Sequence, residues 1–257
     1  VGFIDLHFHI LPGVDDGAKD MMMAVEMARL ALEDGVETIV ATPHPNDSGI
    51  GSPSVTLEAI ARLRLALQEH NLADLKVLPG AECFFSPETV EHLKHGQLLT
   101  INQTRYVLVE FHHVIAPVNI ENALFRLRSN GYVPVIAHPE RYKYVQTNLE
   151  WLAKLVKQGC LVQLTAGAFY GRFGKNCQKS AEQILSNNLA HLVASDAHNT
   201  QIRAPGIELA RSRIERLSST LHFQQLSREI PAQILANCEY ERLVAGLTPV
   251  KNFWKFW

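Results

Sequence analysis

Nine histidine and carboxylate side chains stand at the ends of strand-like runs or in the loops just after them, and their types suit divalent-metal chemistry. His7 and His9 open the series in Phe3-Ile4-Asp5-Leu6-His7-Phe8-His9. Asp16 follows in the loop Gly13-Val14-Asp15-Asp16-Gly17. His44, Glu82, Glu110 and His138 then close four separate apolar runs, and Asp196 and His198 end a fifth. Five imidazoles, four carboxylates and no thiolate form a borderline-to-hard donor set. Imidazole suits zinc and iron, and carboxylate suits manganese and magnesium. Ions held about 3.5–4 Å apart can clamp a phosphoryl group, and only shared carboxylates bring cations so close. Glu82 is the candidate bridge.

His7 and His9 lie two apart on a strand, so both imidazoles project from one face. Asp5 shares that face. It is expected either to orient a histidine from behind or to be satisfied by backbone. Arg141 lies three residues after His138, and Arg203 lies five after His198. Both therefore sit on loops beside the proposed ligands, where a guanidinium can bind phosphate oxygens through two parallel hydrogen bonds. The other seven histidines, His70, His92, His95, His112, His113, His191 and His222, read as surface, loop or structural residues.

Positioning these groups requires strands that share a direction. Strand-like runs at 3–9, 38–42, 76–79, 106–110, 133–137, 161–165 and 191–195 alternate with helical patterns. The alternation argues for α/β architecture with parallel strands. The first helix is capped by Asp20, repeats apolar residues through Met23, Met27, Leu30 and Ala31, and stops at Gly35. Further helices are expected over 55–69, 87–94, 120–130, 149–158 and 179–187, with a mostly helical part beyond about 205. Six of the seven strands would supply ligands, which favours a closed (β/α) barrel over an open doubly wound sheet, because every strand end then faces one mouth. No linker or repeat divides the chain, so residues 1–257 are expected to form one domain.

Bulk composition excludes several functions. The 257 residues carry a net charge of −2 without a basic block, which argues against a nucleic-acid surface. No apolar run reaches the roughly 18 residues of a membrane span. The chain opens on a strand, so a cytoplasmic protein without a leader is expected. Cys83, Cys160, Cys177 and Cys238 are scattered and read as reduced thiols. The residues six after them are Thr89, Ala166, Gln183 and Val244, so the Cys…Arg spacing of a thiol-based phosphatase is absent. The C-terminus, Lys251-Asn252-Phe253-Trp254-Lys255-Phe256-Trp257, mixes aromatics with lysines. It is expected to pack on its own subunit or on a neighbouring one, and the second arrangement would make the chain a homo-oligomer. The alternative is an anchor for a membrane surface or a kinase.

Together, His7-x-His9, Leu11-Pro12-Gly13-Val14-Asp15-Asp16-Gly17, Ala41-Thr42-Pro43-His44, Pro79-Gly80-Ala81-Glu82, Ile136-Ala137-His138-Pro139-Glu140-Arg141 and Ala194-Ser195-Asp196-Ala197-His198 resemble the polymerase and histidinol phosphatase (PHP) superfamily. More closely, they resemble the bacterial PHP-type protein tyrosine phosphatases of capsule and exopolysaccharide operons. The resemblance implies a distorted (β/α)7 barrel and a centre of three ions, most often Mn2+, with iron, zinc or magnesium as alternatives. By position, His7, His9, Glu82 and Asp196 would hold one ion. Glu82, Glu110 and His138 would hold a second, and Asp16, His44 and His198 a third. Arg141 and Arg203 match the phosphate-binding, catalytic arginines. The implied substrate is phosphotyrosine on the tail of a cognate bacterial tyrosine kinase. Other readings are a small-molecule phosphomonoesterase of the histidinol-phosphate type, a phosphodiesterase, and a metal-binding regulatory module. The sequence departs from the pattern at Pro45, where relatives often carry a second histidine, and in the loop 46–54, which is poor in aromatic and basic residues.

Overall fold

The computed structural model describes residues 2–45 and 51–245. Most of the loop 46–54 and all of the aromatic tail 251–257 therefore lie outside the described residues. The elements run β1 (Phe3–Phe8), α1 (Met21–Glu33), β2 (Val36–Ala41), α2 (Pro53–Glu69), β3 (Lys76–Pro79), β4 (Glu82–Phe84), α3 (Thr89–Lys94), β5 (Tyr106–Glu110), α4 (Ile120–Ser129) and β6 (Val133–Ile136). They continue as α5 (Lys143–Thr147), α6 (Glu150–Lys157), β7 (Leu161–Thr165), α7 (Ala166–Phe169), α8 (Lys175–Ser186) and β8 (Leu192–Ala194). The C-terminal part is helical, with α9 (Ile207–Leu217), α10 (Thr220–Gln224), a π-helical turn over Gln225–Glu229, α11 (Ile230–Leu235) and α12 (Tyr240–Ala245). Among the described residues no helix is long and apolar enough to cross a membrane.

Local signals explain the elements. Asp20 caps α1 by accepting from the Met23 N–H at 2.9 Å. Ala24, Val25, Met27, Ala28 and Ala31 form its buried stripe, and Gly35 ends it at φ 87°. Asp34 then reaches across the chain, its carboxylate accepting from the backbone N–H of Ile207 at 2.6 Å and of Glu208 at 3.2 Å. That contact seats the start of α9 against the end of α1.

The strands pair in parallel within two sheets, β1-β2-β3 and β4-β5-β6-β7-β8. The sequence pattern predicts seven strands, and eight form among the described residues. The predicted third strand forms over 76–79 as β3, and after Gly80 and Ala81 the chain enters an unpredicted strand, β4, in the other sheet. Gly80 is required at this break because a Cβ there would lie 2.6 Å from Val40 Cγ1. The sheets also touch beyond β8, where Asp196 N–H donates to His7 O at 2.9 Å and His9 N–H donates to Ala197 O at 2.9 Å.

Alternation along the strands sorts the core. The larger apolar cluster takes Val107, Val109, Ile136, Val162 and Val193 together with the helices. The smaller one takes the alternate positions, Leu108, Val135, Leu161 and Leu192, and is packed by Ile230 and Ile234 of α11. Glu110, Gln163 and Asp196 continue this second face in steps of two, so an apolar face ends in polar groups at the C-terminal ends of the strands. The four cysteines are free thiols, three of them buried. Burial pushes Cys83 and Cys160 up to about 12, which makes both poor nucleophiles.

Candidate metal centre

β1 delivers His7 and His9 side by side, with their Nε2 atoms 3.0 Å apart. Each ring is held from behind. His7 Nδ1–H donates to Gln163 Oε1 at 2.9 Å, and His9 Nδ1–H donates to Asp15 Oδ2 at 2.7 Å. Fixing Nδ1 as the donor turns each Nε2 lone pair inward, toward the other and toward Glu82. Two lone pairs at that separation repel unless a proton or a metal ion lies between them. The loop that carries Asp15 can approach because position 17 is glycine: a Cβ there would sit 2.1 Å from His9 O.

Glu82 is the hub. One carboxylate oxygen lies 2.9 Å from His7 Nε2, 3.2 Å from His9 Nε2 and 3.6 Å from His44 Nε2. The other lies 2.8 Å from His138 Nε2. Glu110 stands 3.5 Å from His138 Nε2, and Asp16 stands 3.4 Å from His198 Nε2 and 3.8 Å from His44 Nε2. Asp196 Oδ1 lies 3.4 Å from His7 and 3.6 Å from His9. All nine predicted residues therefore converge. Their donor atoms, joined by that of His113, fall into overlapping groups able to hold an ion: His7, His9, Glu82 and Asp196; His9, Asp16, His44 and His198; Glu110, His113 and His138; and His44, Glu82 and Glu110.

Charge in the cluster suits cations. Burial would raise Glu82, but His7 and His138 hold it well below the usual carboxylate range. Burial likewise opposes Asp196, and Arg141, His7 and Arg203 outweigh it and keep it ionised. Burial lowers His138, aided by Arg141, and drives His198 down to about 2, aided by His9. Both rings are therefore neutral and have lone pairs to give. Burial also works against a charged His9, yet the hydrogen bonds to Asp15 and Glu82 lift it to about 10, so this ring takes up a proton at neutral pH that a metal ion would have to displace. Ionised carboxylates and neutral imidazoles are the states in which these groups bind metals. The residues present fit a divalent-metal site.

Both arginines reach this cluster. Arg203 Nη2 donates to both Asp196 oxygens at 2.8 Å, and Arg141 Nη2 donates to Asp196 Oδ2. The Arg141 guanidinium also lies 4.0 Å over the Phe173 ring. His138 and Asp196 carry left-handed backbone, at φ 33° and 52°. Both are strand-end residues turned out of line to face the centre, and such strain concentrates at functional sites.

Three groups escape sequence reasoning. Asp15 and Gln163 orient the histidine pair, but an Asp-Asp pair does not say which member faces inward, and a lone Gln in a strand carries no metal signal. His113, read as a loop residue, places Nε2 3.0 Å from Glu110 and packs its ring on His138. Its spacing of three from Glu110 was the available clue. Asp5 takes the second of its two expected roles. It accepts from the backbone N–H of His7 at 3.2 Å and of Ser195 at 3.1 Å, and so ties β1 to the end of β8.

Parallel strands ending on histidines around a shared carboxylate define the architecture of a divalent-metal hydrolase. The sequence matches the family described as "Capsular polysaccharide synthesis, CpsB/CapC" over residues 3–236, and the chain belongs to that family. It is 41% identical over 201 residues to the tyrosine-protein phosphatase YwqE of Bacillus subtilis, spanning 78% of this chain and 79% of that one. It is 30% identical over 239 residues to the tyrosine-protein phosphatase CpsB of Streptococcus agalactiae, spanning 91% and 98%. A solved structure reported for YwqE of Bacillus subtilis and CpsB of Streptococcus pneumoniae, described as metal-dependent tyrosine phosphatases, superposes with TM-score 0.87 at 37% identity, covering 92% and 95% of the two chains. A phosphotriesterase homology protein from Escherichia coli shares the fold alone, with TM-score 0.57 at 13% identity and coverage of 91% and 98%.

Proposed function

We propose that the chain is a metal-dependent protein tyrosine phosphatase that hydrolyses phosphotyrosine on a bacterial tyrosine kinase controlling capsule or exopolysaccharide synthesis. The observation that carries this reading is the Glu82 carboxylate, whose two oxygens serve four imidazoles within 3.6 Å. A shared carboxylate of that kind can hold ions close enough to act on one phosphoryl group.

In this reading His7, His9, Glu82 and Asp196 hold one ion, Glu82, Glu110 and His138 a second, and Asp16, His44 and His198 a third. His113 is an added donor beside Glu110. Mn2+ is the favoured ion, and Fe, Zn or Mg also suit the donors. When bound, divalent ions make hydroxide available near neutral pH and neutralise charge on the phosphoryl oxygens. Arg141 and Arg203 place two guanidiniums at the edge of the same cluster, where they bind and orient the phosphoryl oxygens and stabilise charge that builds on them. A tyrosine leaving group has a pKa of about 10, so its departure as an anion needs little acid assistance. We also propose that the two sheets close as a distorted (β/α)7 barrel. The β1–β8 backbone bonds and the direct run of β3 into β4 support that closure. A cytoplasmic location belongs to the same proposal, because the kinase tail it serves would lie there.

The test is phosphate release from a phosphotyrosine peptide, a phosphoserine peptide and histidinol phosphate, using chelator-stripped protein with and without Mn2+. Mn2+-dependent release from phosphotyrosine is expected. Release from histidinol phosphate alone would move the substrate to the small-molecule class, and no release with any ion would overturn the enzyme reading.

A further inference from the structure

β4 contains Glu82, Cys83 and Phe84. Alternation puts Glu82 and Phe84 on one face and Cys83 on the other. Cys83 is buried in the larger apolar cluster, and Glu82 is buried in the candidate metal centre. Phe84 stands one step further out on the Glu82 side, by about 6.6 Å of strand rise, and is 59% exposed. In register it is paired with Glu110, so it stands at the strand ends beside two proposed ligand carboxylates.

This exposure is not forced by a lack of apolar cover. The next residue, Phe85, turns inward and packs on Phe111, with ring centroids 5.5 Å apart. The loop after β5 repeats the pattern. Val114 and Ile115 are exposed on it, and their backbone N–H groups both donate to His112 Nδ1, at 3.1 and 3.0 Å. The strand paired with β4 thus carries a further exposed apolar pair on its following loop, just after His113.

We propose that Phe84 is the specificity-determining residue that receives the aromatic ring of the substrate. The inference deepens the phosphatase reading and rests on it. A phosphotyrosyl group whose phosphoryl end lies at Glu82 and Glu110 extends its ring outward by about the rise that separates Glu82 from Phe84. The exposed Phe84 ring offers it an offset or edge-on contact. A phosphoseryl group or free phosphate has no ring to place there.

The test compares wild type, Phe84→Ala and Phe84→Tyr, each loaded with Mn2+. The readouts are KM for a phosphotyrosine peptide and the inhibition constant of inorganic phosphate, which occupies the centre without a ring. Phe84→Ala should raise KM about fivefold, leave phosphate inhibition unchanged and keep the wild-type melting temperature, while Phe84→Tyr stays near wild type. An unchanged KM, or equal weakening of phosphate and peptide, overturns the ring contact while the phosphatase reading stands. Wild-type protein that releases no phosphate from the peptide overturns the phosphatase reading itself.

Discussion

The imidazoles of His7 and His9 face each other through Nε2 at 3.0 Å, and their outer nitrogens are held by partners of different charge, Gln163 and Asp15. A carboxylate behind an imidazole raises its basicity more than an amide does. The two histidines should therefore be unequal donors.

Asp15→Asn and Gln163→Leu should each lower metal affinity by about 10–100-fold, with the fold retained. Asp15→Asn should be the more damaging, because it removes the charge behind His9 and leaves one acceptor oxygen where Asp15 uses two. Calorimetric titration of Mn2+ into chelator-stripped protein measures both. Affinities equal to wild type would mean that the rings are held by packing alone.

Glu82→Gln removes the charge around which His7, His9, His44 and His138 gather. Bound metal per chain should fall, and phosphotyrosine turnover should drop by at least about a hundredfold. Elemental analysis and steady-state rates report the two quantities separately. Full metal content with normal turnover would remove Glu82 as the bridge.

His191 sets a pH limit far from the centre. Burial, with His222 nearby, pushes its imidazole down to about 4, and its Nδ1 accepts from the Val162 N–H at 3.1 Å. The unfolded chain takes up this proton near pH 6.5, and the folded chain resists until about pH 4. Stability is thus fully present above about pH 6.5 and declines as pH falls toward 4, by about 3 kcal/mol for this residue. Urea unfolding of wild type and His191→Gln at pH 7 and pH 5 should show a smaller acid loss in the variant. Parallel losses would assign the acid limb to other groups.

Gly17→Ala drives a Cβ to 2.1 Å from His9 O. Backbone cannot yield as a flexible side chain would, so the loop must move and take Asp15 with it. The expected cost is about 1–3 kcal/mol of stability, accompanied by weaker metal binding. Thermal melts with and without Mn2+ check both, and a variant that melts and binds as wild type would show that the loop shifts freely.

The sequence exposes the ligands because strand ends are easy to find. For a residue still inside its strand, such as Glu110, period-two reasoning is enough to place the side chain, whereas His138 and Asp196 lie past their strands and reach the centre through left-handed turns that alternation does not foresee. β3, β5 and β7 match their predicted bounds because each is a short, mostly apolar run with a clear stop. What stays hidden depends on contacts between distant residues. At the passage from β3 to β4, Gly80 leaves room for Val40, and the seat of α9 follows from Asp34 reaching Ile207. Neither pair leaves a local signature. Asp15 and Asp16 are neighbours of one type, yet one orients His9 and the other stands beside His44 and His198. Only the path of the loop separates their roles. The short helices α5 and α7 also escape, because four or five residues are too few to show a helical period.

The left-handed backbone at His138 and Asp196 has a consequence for engineering. Glycine adopts such angles freely, whereas each of these residues costs about 1–3 kcal/mol to hold there. At both positions the residue best for foldedness differs from the residue best for chemistry. A directed search for heat-resistant variants, screened without an activity assay, would be drawn to these two strand ends, and the substitutions it favoured there would dismantle the metal centre.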